Sequence, residues 1–215
     1  DFRRQRQMCI RDSFGAAQGT IEPKTQTFKF CGRSAKERIN DLSDHSSTQM
    51  FSVILSGIEI NEMVERHKSA LFHENIRGYR GQNQVNKELL NTIAFEPQNF
   101  ILFNNGLTAT SSKISVEELK EKTLICDRFQ IINGCQTAST ISEFARHVPS
   151  LKDSKGKEKI FSSGERIEIL RKLQVQLRVL DVGDKNEEKL TLKNKIIKAN
   201  NCLLYTSPSP RDPWK

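Results

Sequence analysis

Long apolar runs are missing from this 215-residue chain. None approaches the roughly 20 residues of a membrane-spanning helix, so a helical membrane protein is excluded and no membrane partner is expected. Tryptophan occurs once, and five cysteines show no CxxC pair. That excludes the common zinc patterns, predicts no metal ligands, and makes a reducing cytoplasm the expected compartment. There is no internal repeat and no low-complexity stretch. GxxxxGK[ST], GxSxG, HExxH and paired-histidine motifs are all absent, which removes the usual signatures of phosphate-loop enzymes, serine hydrolases and zinc peptidases. The remaining polar chemistry is amides, arginines and hydroxyls. Such groups bind and orient ligands, and rarely serve as general bases at neutral pH.

The formal charge is +8, and the two ends contribute to it. RRQRQMCIRDS (Arg3–Ser13) and CLLYTSPSPRD (Cys202–Asp212) resemble translated sequencing adapters. Codons ATG TGT ATA AGA GAC AGN for Met8–Ser13, reverse-complemented in a shifted frame, encode Cys202–Ser207. One DNA element thus accounts for both ends, so residues 1–13 and 202–215 are expected to be non-native and without a packing role. Residues 14–201 are then expected to be an internal piece of a longer domain. The two ends hold six of the 34 Lys+Arg and three of the 26 Asp+Glu; the remaining 28 and 23 give +5. That mild basicity agrees with a nucleic-acid partner without demanding one.

Hydrophobic periodicity places the elements. Thr27–Phe30 reads as an edge strand and Ser34–Ser47 as a short helix or loop. A strand is predicted near Phe51–Leu55, then a Ser-Gly break and an amphipathic helix over Asn61–Leu71 with Ile60, Met63, Val64, His67 and Leu71 on one face. A second helix spans Val85–Phe95, and Pro97 ends it. Phe100–Phe103 (FILF) reads as a buried strand, and Asn104-Asn105-Gly106 before LTATSS as a hairpin turn. Ser115–Lys120 is expected to be a short helix. FQII (Phe129–Ile132) is a strand, stopped by Asn133-Gly134 and followed by a helix to about His147. Residues 150–165 read as a surface insertion. In Leu173–Val182 the residues Leu173, Val175, Leu177 and Val179 share one face of a strand, and Asn186–Asn200 is a final helix. Strands alternating with helices predict an α/β fold on a mixed sheet.

Four stretches carry candidate chemistry. The strand–turn–helix at Gln130–Thr140 would aim backbone N–H groups of Asn133, Gly134, Gln136 and Thr137 at an anion; the competing reading is a plain tight turn. Asn75, Arg77 and Arg80 share one loop, and guanidinium is the group for bidentate phosphate contact; a solvated basic loop is the alternative. Asn104, Asn105 and Gly106 form the third stretch, and Asn200 at the end of the last helix the fourth, where it could equally act as a C-cap. Asp181, Glu187 and Glu188 follow a strand and loosely suggest a nuclease carboxylate set.

The order of these motifs resembles the abortive-infection phage-resistance (AIPR) family. Asn75/Arg77/Gly78, Val85/Asn86, Phe103–Thr108, Asn133–Thr137 and Ala199/Asn200 carry the resemblance, which covers about Gly57–Asn201. Cys135 departs from the family, which more often has glycine there. The resemblance implies a bacterial anti-phage defence protein. Together with the anion-type turn it implies recognition of nucleic acid or a nucleotide, with Arg77 on phosphate and Asn105 and Gln136 on a base or ribose edge. One alternative is a metal-dependent nuclease subunit using magnesium, with carboxylates at Asp181 and Glu187 or outside this piece. Another is an interaction module that senses a phage component. The turn also resembles, more distantly, ParB-like domains.

Overall fold

The alternating segment near Leu173–Val182 forms the centre of the main sheet. It is strand β10 (Gln174–Asp181), and Val175, Leu177 and Val179 are buried on one face while Gln174, Gln176 and Arg178 stand exposed on the other. The computed structural model describes residues 26–29, 39–42, 48–73, 84–118, 122–148, 150–183 and 187–201. The adapter-like ends and the loop holding Asn75, Arg77 and Arg80 lie outside the described residues.

The other strands are β1 (Gln26–Lys29), β2 (Ile39–Asp41), β3 (Met50–Ser56), β4 (Leu107–Ser111), β5 (Lys113–Glu118), β6 (Lys122–Asp127), β7 (Gln130–Asn133), β8 (Leu151–Lys152) and β9 (Glu158–Lys159). The helices are α1 (Gly57–His67), α2 (Gln84–Phe95), α3 (Phe100–Phe103), α4 (Cys135–Arg146), α5 (Ser163–Lys172) and α6 (Glu187–Asn201). The main sheet has the order β2-β3-β10-β4-β7. β10 runs parallel to β4 and antiparallel to β3, so the sheet is mixed and the fold is α/β. α1, α2, α4 and α5 pack on one another. Their apolar side chains meet Val53, Leu55, Leu107, Ala109, Ile131, Val175, Leu177 and Val179 in one continuous core. Each fully buried aliphatic or aromatic side chain there contributes about 1.5–3 kcal/mol. α6 packs on β7, and the buried Ile132 and Ile197 of these two elements lie outside the continuous core.

β4–β5 and β6–β7 are two arms of one long ribbon, bent at Ser112 and at Arg128, which has a left-handed φ of 49°. The outer half pairs β5 with β6, and β6 with the edge strand β1, close to the strand expected at Thr27–Phe30. Asp181 pins the bend. Its Oδ2 accepts from the Ile114 N–H (3.1 Å) and its Oδ1 from the Gly183 N–H (2.9 Å).

Several expectations need correction. The Ser-Gly pair is the start of α1, four residues before Asn61. The Ser56 hydroxyl accepts from the Glu59 N–H (3.3 Å), and the Glu59 carboxylate accepts from the Ser56 N–H (2.7 Å). This capping box contributes on the order of 1 kcal/mol. A side chain at Gly57 would press on Leu170 and Leu173, so glycine lets α1 start against α5. Leu71 falls in the 3-10 turn (Lys68–Phe72) that follows α1.

FILF is not a buried strand. Pro97 opens a 3-10 turn (Pro97–Asn99) that runs on into α3. Phe100 is buried, but Leu102 is 75 % and Phe103 66 % exposed. A four-residue apolar run carries no period that separates strand from helix. Asn104-Asn105-Gly106 is therefore a helix-to-strand connection and not a hairpin. Ser115–Lys120 is largely strand β5, because Ile114 and Val116 alternate and find partners in β6. β2 lies inside the stretch expected as helix or loop at Ser34–Ser47. The insertion at 150–165 contains the β8–β9 hairpin, turned by Asp153, whose Oδ1 accepts from the Lys155 and Lys157 N–H groups (2.9 Å each).

Candidate functional site

Strand β7 ends at Asn133, and Gly134 turns the chain into α4 with φ 92° and ψ 12°. That left-handed conformation is open to glycine at little cost. A Cβ at Gly134 would lie 2.5 Å from Leu107 Cδ2 and 2.8 Å from the Gly106 carbonyl oxygen. The two glycine turns are thus in contact. Gly106 is itself left-handed (φ 72°), and a Cβ there would lie 2.2 Å from the Gln176 carbonyl oxygen of β10. Both positions need glycine twice over, for backbone conformation and for close approach.

Side chains then join the turns. Asn104 Oδ1 accepts from the Gly106 N–H (2.9 Å), and its Nδ2 donates to Thr137 Oγ1 in the first turn of α4 (3.1 Å). Asn133 Oδ1 accepts from the Gly134 N–H (2.8 Å). Gln136 Nε2 donates to Oδ1 of Asn86, which is buried on α2. The Val-Asn helix, the Asn-Asn-Gly connection and the Asn-Gly turn meet at one end of the sheet. Asn105 is exposed at this end, Asn104, Asn133 and Gln136 are half-buried, and Thr137 is buried. Phe103 stands exposed one residue before Asn104. Asn200 falls in the last turn of α6, the helix packed on β7.

Of the residues singled out in the sequence, the structure brings Asn104, Gly106, Asn133, Gly134, Gln136 and Thr137 together. Asn86 is a member that residue-type reasoning passed over as a site residue; its signal was its place in the Val-Asn motif. Thr137 ties α4 to Asn104 and does not cap the helix, because the N-cap is Gly134. If this tie has the usual worth, Asn104→Ala and Thr137→Val will each cost about 1 kcal/mol in denaturant unfolding. The double variant will then cost less than the sum; strict additivity would show that the two side chains are not coupled.

The buried cysteines add no nucleophile to this cluster. Burial raises the Cys135 thiol, against an opposing hydrogen bond from Ser139. Burial first, then the charges of Asp127 and Asp181, push the Cys126 thiol up to about 12. Both thiols are protonated at neutral pH, so neither is a ready nucleophile. Asp181, a carboxylate of the nuclease alternative, is held by two backbone N–H groups at the ribbon bend. Among the described residues no group of three or more His, Cys, Asp or Glu could hold a metal ion. No described helix is long and apolar enough to cross a membrane.

No curated protein and no solved structure matches the chain significantly. The family model described as AIPR protein matches residues 72–202. That interval is more than half of the chain and includes every residue of the assembled cluster. The chain belongs to the AIPR family of abortive-infection phage-resistance proteins.

Proposed function

We propose that this protein serves anti-phage defence by recognising nucleic acid or a nucleotide at the end of the sheet where the two glycine turns meet. The observation that carries the reading is the assembly itself. Three stretches, separated by 33 and 50 residues at their bonded pairs, hold one another through Asn104–Thr137 and Gln136–Asn86. These side-chain bonds fix the backbone, and the fixed backbone presents the first turn of α4. Helix N-termini of this kind favour phosphate through oriented N–H groups and the helix dipole. Exposed Asn105 offers a donor and an acceptor for a base or ribose edge, and exposed Phe103 offers a face for stacking. Arg77, eight residues before Val85 in the sequence, is proposed to supply charge to the phosphate.

Calorimetric titration of nucleotides and short DNA or RNA tests this. Binding is expected to weaken with salt as phosphate contacts require. Arg77→Ala is expected to cost about 1–3 kcal/mol of binding with the fold intact. Saturable binding that ignores salt would favour the protein-sensing alternative. Unchanged binding in both Arg77→Ala and Gly134→Val would move the site elsewhere.

A further inference from the structure

The register of the main sheet aligns one residue from each of its five strands. Asn40 pairs with Ser52, Ser52 with Arg178, Arg178 with Thr108, and Thr108 with Asn133. Paired residues of neighbouring strands share a face. The row is polar from end to end, and its far end is the first residue of the Asn-Gly turn. The β4–β7 register shifts between Thr108 and Ala109, which leaves Ile132 as the extra residue of a bulge. Such bulges re-aim side chains, and here the bulge brings Asn133 into the row.

The row has relief. Ser52 and Thr108 are buried. Gln176 Nε2 donates to Ser52 Oγ (2.9 Å), and Arg178 Nη2 donates to Thr108 Oγ1 (3.1 Å). Gln176, Arg178 and Asn40 themselves stand exposed. The bond to Thr108 holds the guanidinium in the middle of the row. With five N–H donors, an arginine can keep such a bond and still grip a phosphate with two others. No carboxylate occupies this face at the described positions of β3, β10 and β4, which carry Met50, Ser52, Ile54, Ser56, Gln174, Gln176, Arg178, Leu180, Thr108 and Thr110. Along the row the face is therefore amide and hydroxyl with one central positive charge, flanked by the apolar Met50, Ile54 and Leu180.

We infer that this row is a track for the backbone of a single-stranded nucleic acid leading into the glycine-turn site, with Arg178 as its phosphate contact. The inference rests on the reading given under Proposed function and extends it from a terminal anion site to a polymer-binding face. Four inter-strand spacings make the row about 19 Å long, which suits several nucleotides rather than one. The exposed amides of Asn40 and Gln176 would contact phosphate and sugar without reading sequence.

Fluorescence anisotropy of a labelled single strand of about six nucleotides, beside calorimetry of a mononucleotide, tests the track on the full chain. Arg178→Gln is expected to weaken the oligonucleotide about tenfold. It should also flatten the slope of log K against log salt by about one, the share of one phosphate contact. Arg178→Lys should restore the slope, and mononucleotide affinity should be unchanged in both. Circular dichroism should show all three proteins equally folded, since Arg178 is exposed. Unchanged oligonucleotide affinity and slope in Arg178→Gln would overturn the track while leaving the turn site standing. Equal losses for mononucleotide and oligonucleotide would also overturn it, by placing Arg178 in the turn site itself. Absence of any binding by the unaltered protein would overturn the turn reading and the track together.

Discussion

Gly106→Ala is expected to destabilise the protein by about 3–5 kcal/mol, the range reached only when a substitution breaks a defined structural constraint. Two costs coincide at this position. The backbone is left-handed, with φ 72°, and a side chain there costs about 1–2 kcal/mol. The added Cβ would also lie 2.2 Å from the Gln176 carbonyl oxygen and 3.3 Å from Gln176 Cβ. The carbonyl belongs to the central strand β10, held by β3 on one side and β4 on the other. It cannot swing away without disturbing the sheet. Chemical denaturation should show a lower midpoint with an unchanged slope. A loss below about 1 kcal/mol would mean that the Asn104–Gly106 connection is slack and could not fix a ligand.

Gly134→Val is expected to abolish ligand binding and to cost about 2–4 kcal/mol of stability. The residue has φ 92°, and β-branching makes valine especially poor there. Its Cβ would meet Leu107 Cδ2 at 2.5 Å, the Gly106 oxygen at 2.8 Å and Leu107 Cα at 3.1 Å. Only the first of these is the end of a flexible side chain. Adding Leu107→Ala should therefore fail to rescue the variant, because the carbonyl contact and the backbone strain remain. Recovery of both stability and binding in that double variant would reduce the role of Gly134 to side-chain packing.

How much of this was legible in the sequence varied with the kind of signal. β10 was read nearly to the residue because Val175, Leu177 and Val179 alternate with Gln174, Gln176 and Arg178. The strand–glycine–helix unit at Gln130–Arg146 was equally clear, since an apolar run, an Asn-Gly stop and a helical period follow one another. FILF was misread because four apolar residues fit either state, and the decision came from Pro97 and the 3-10 turn it starts. The Asn-Gly hairpin failed for the same reason: a hairpin signal needs strands on both flanks, and α3 is helical. The segment at Ser115–Lys120 is held as a strand by pairing with β6, a tertiary partner that no local window contains.

The site was legible only as a set of separate motifs; that Asn104 meets Thr137 and Gln136 meets Asn86 comes from the packing of the elements that carry them. Asn86 was visible only as part of a motif. Its burial against Gln136 depends on how α2 packs on α4. Arg178 is one of the outward residues of an alternating strand. Its position in line with Asn133 depends on the registers of three strand pairs and one bulge. Periodicity shows which face a residue takes. It does not show which residue of a distant strand stands beside it.

The central claim is that the Asn104–Gly106 connection and the Asn133–Thr137 turn together form one ligand site. Amide proton–nitrogen NMR tests it most directly, because the proposed phosphate donors in the first turn of α4 are themselves backbone amides, and those of Gly106 and Gly134, held by Asn104 and Asn133, report on the two turns beside them. Titration with a short single-stranded oligonucleotide should shift the amides of Gly106, Gly134, Cys135 and Gln136 together, with one shared dissociation constant, and Gly134→Val should remove all four responses. Saturable binding that leaves these four amides unmoved would contradict the account.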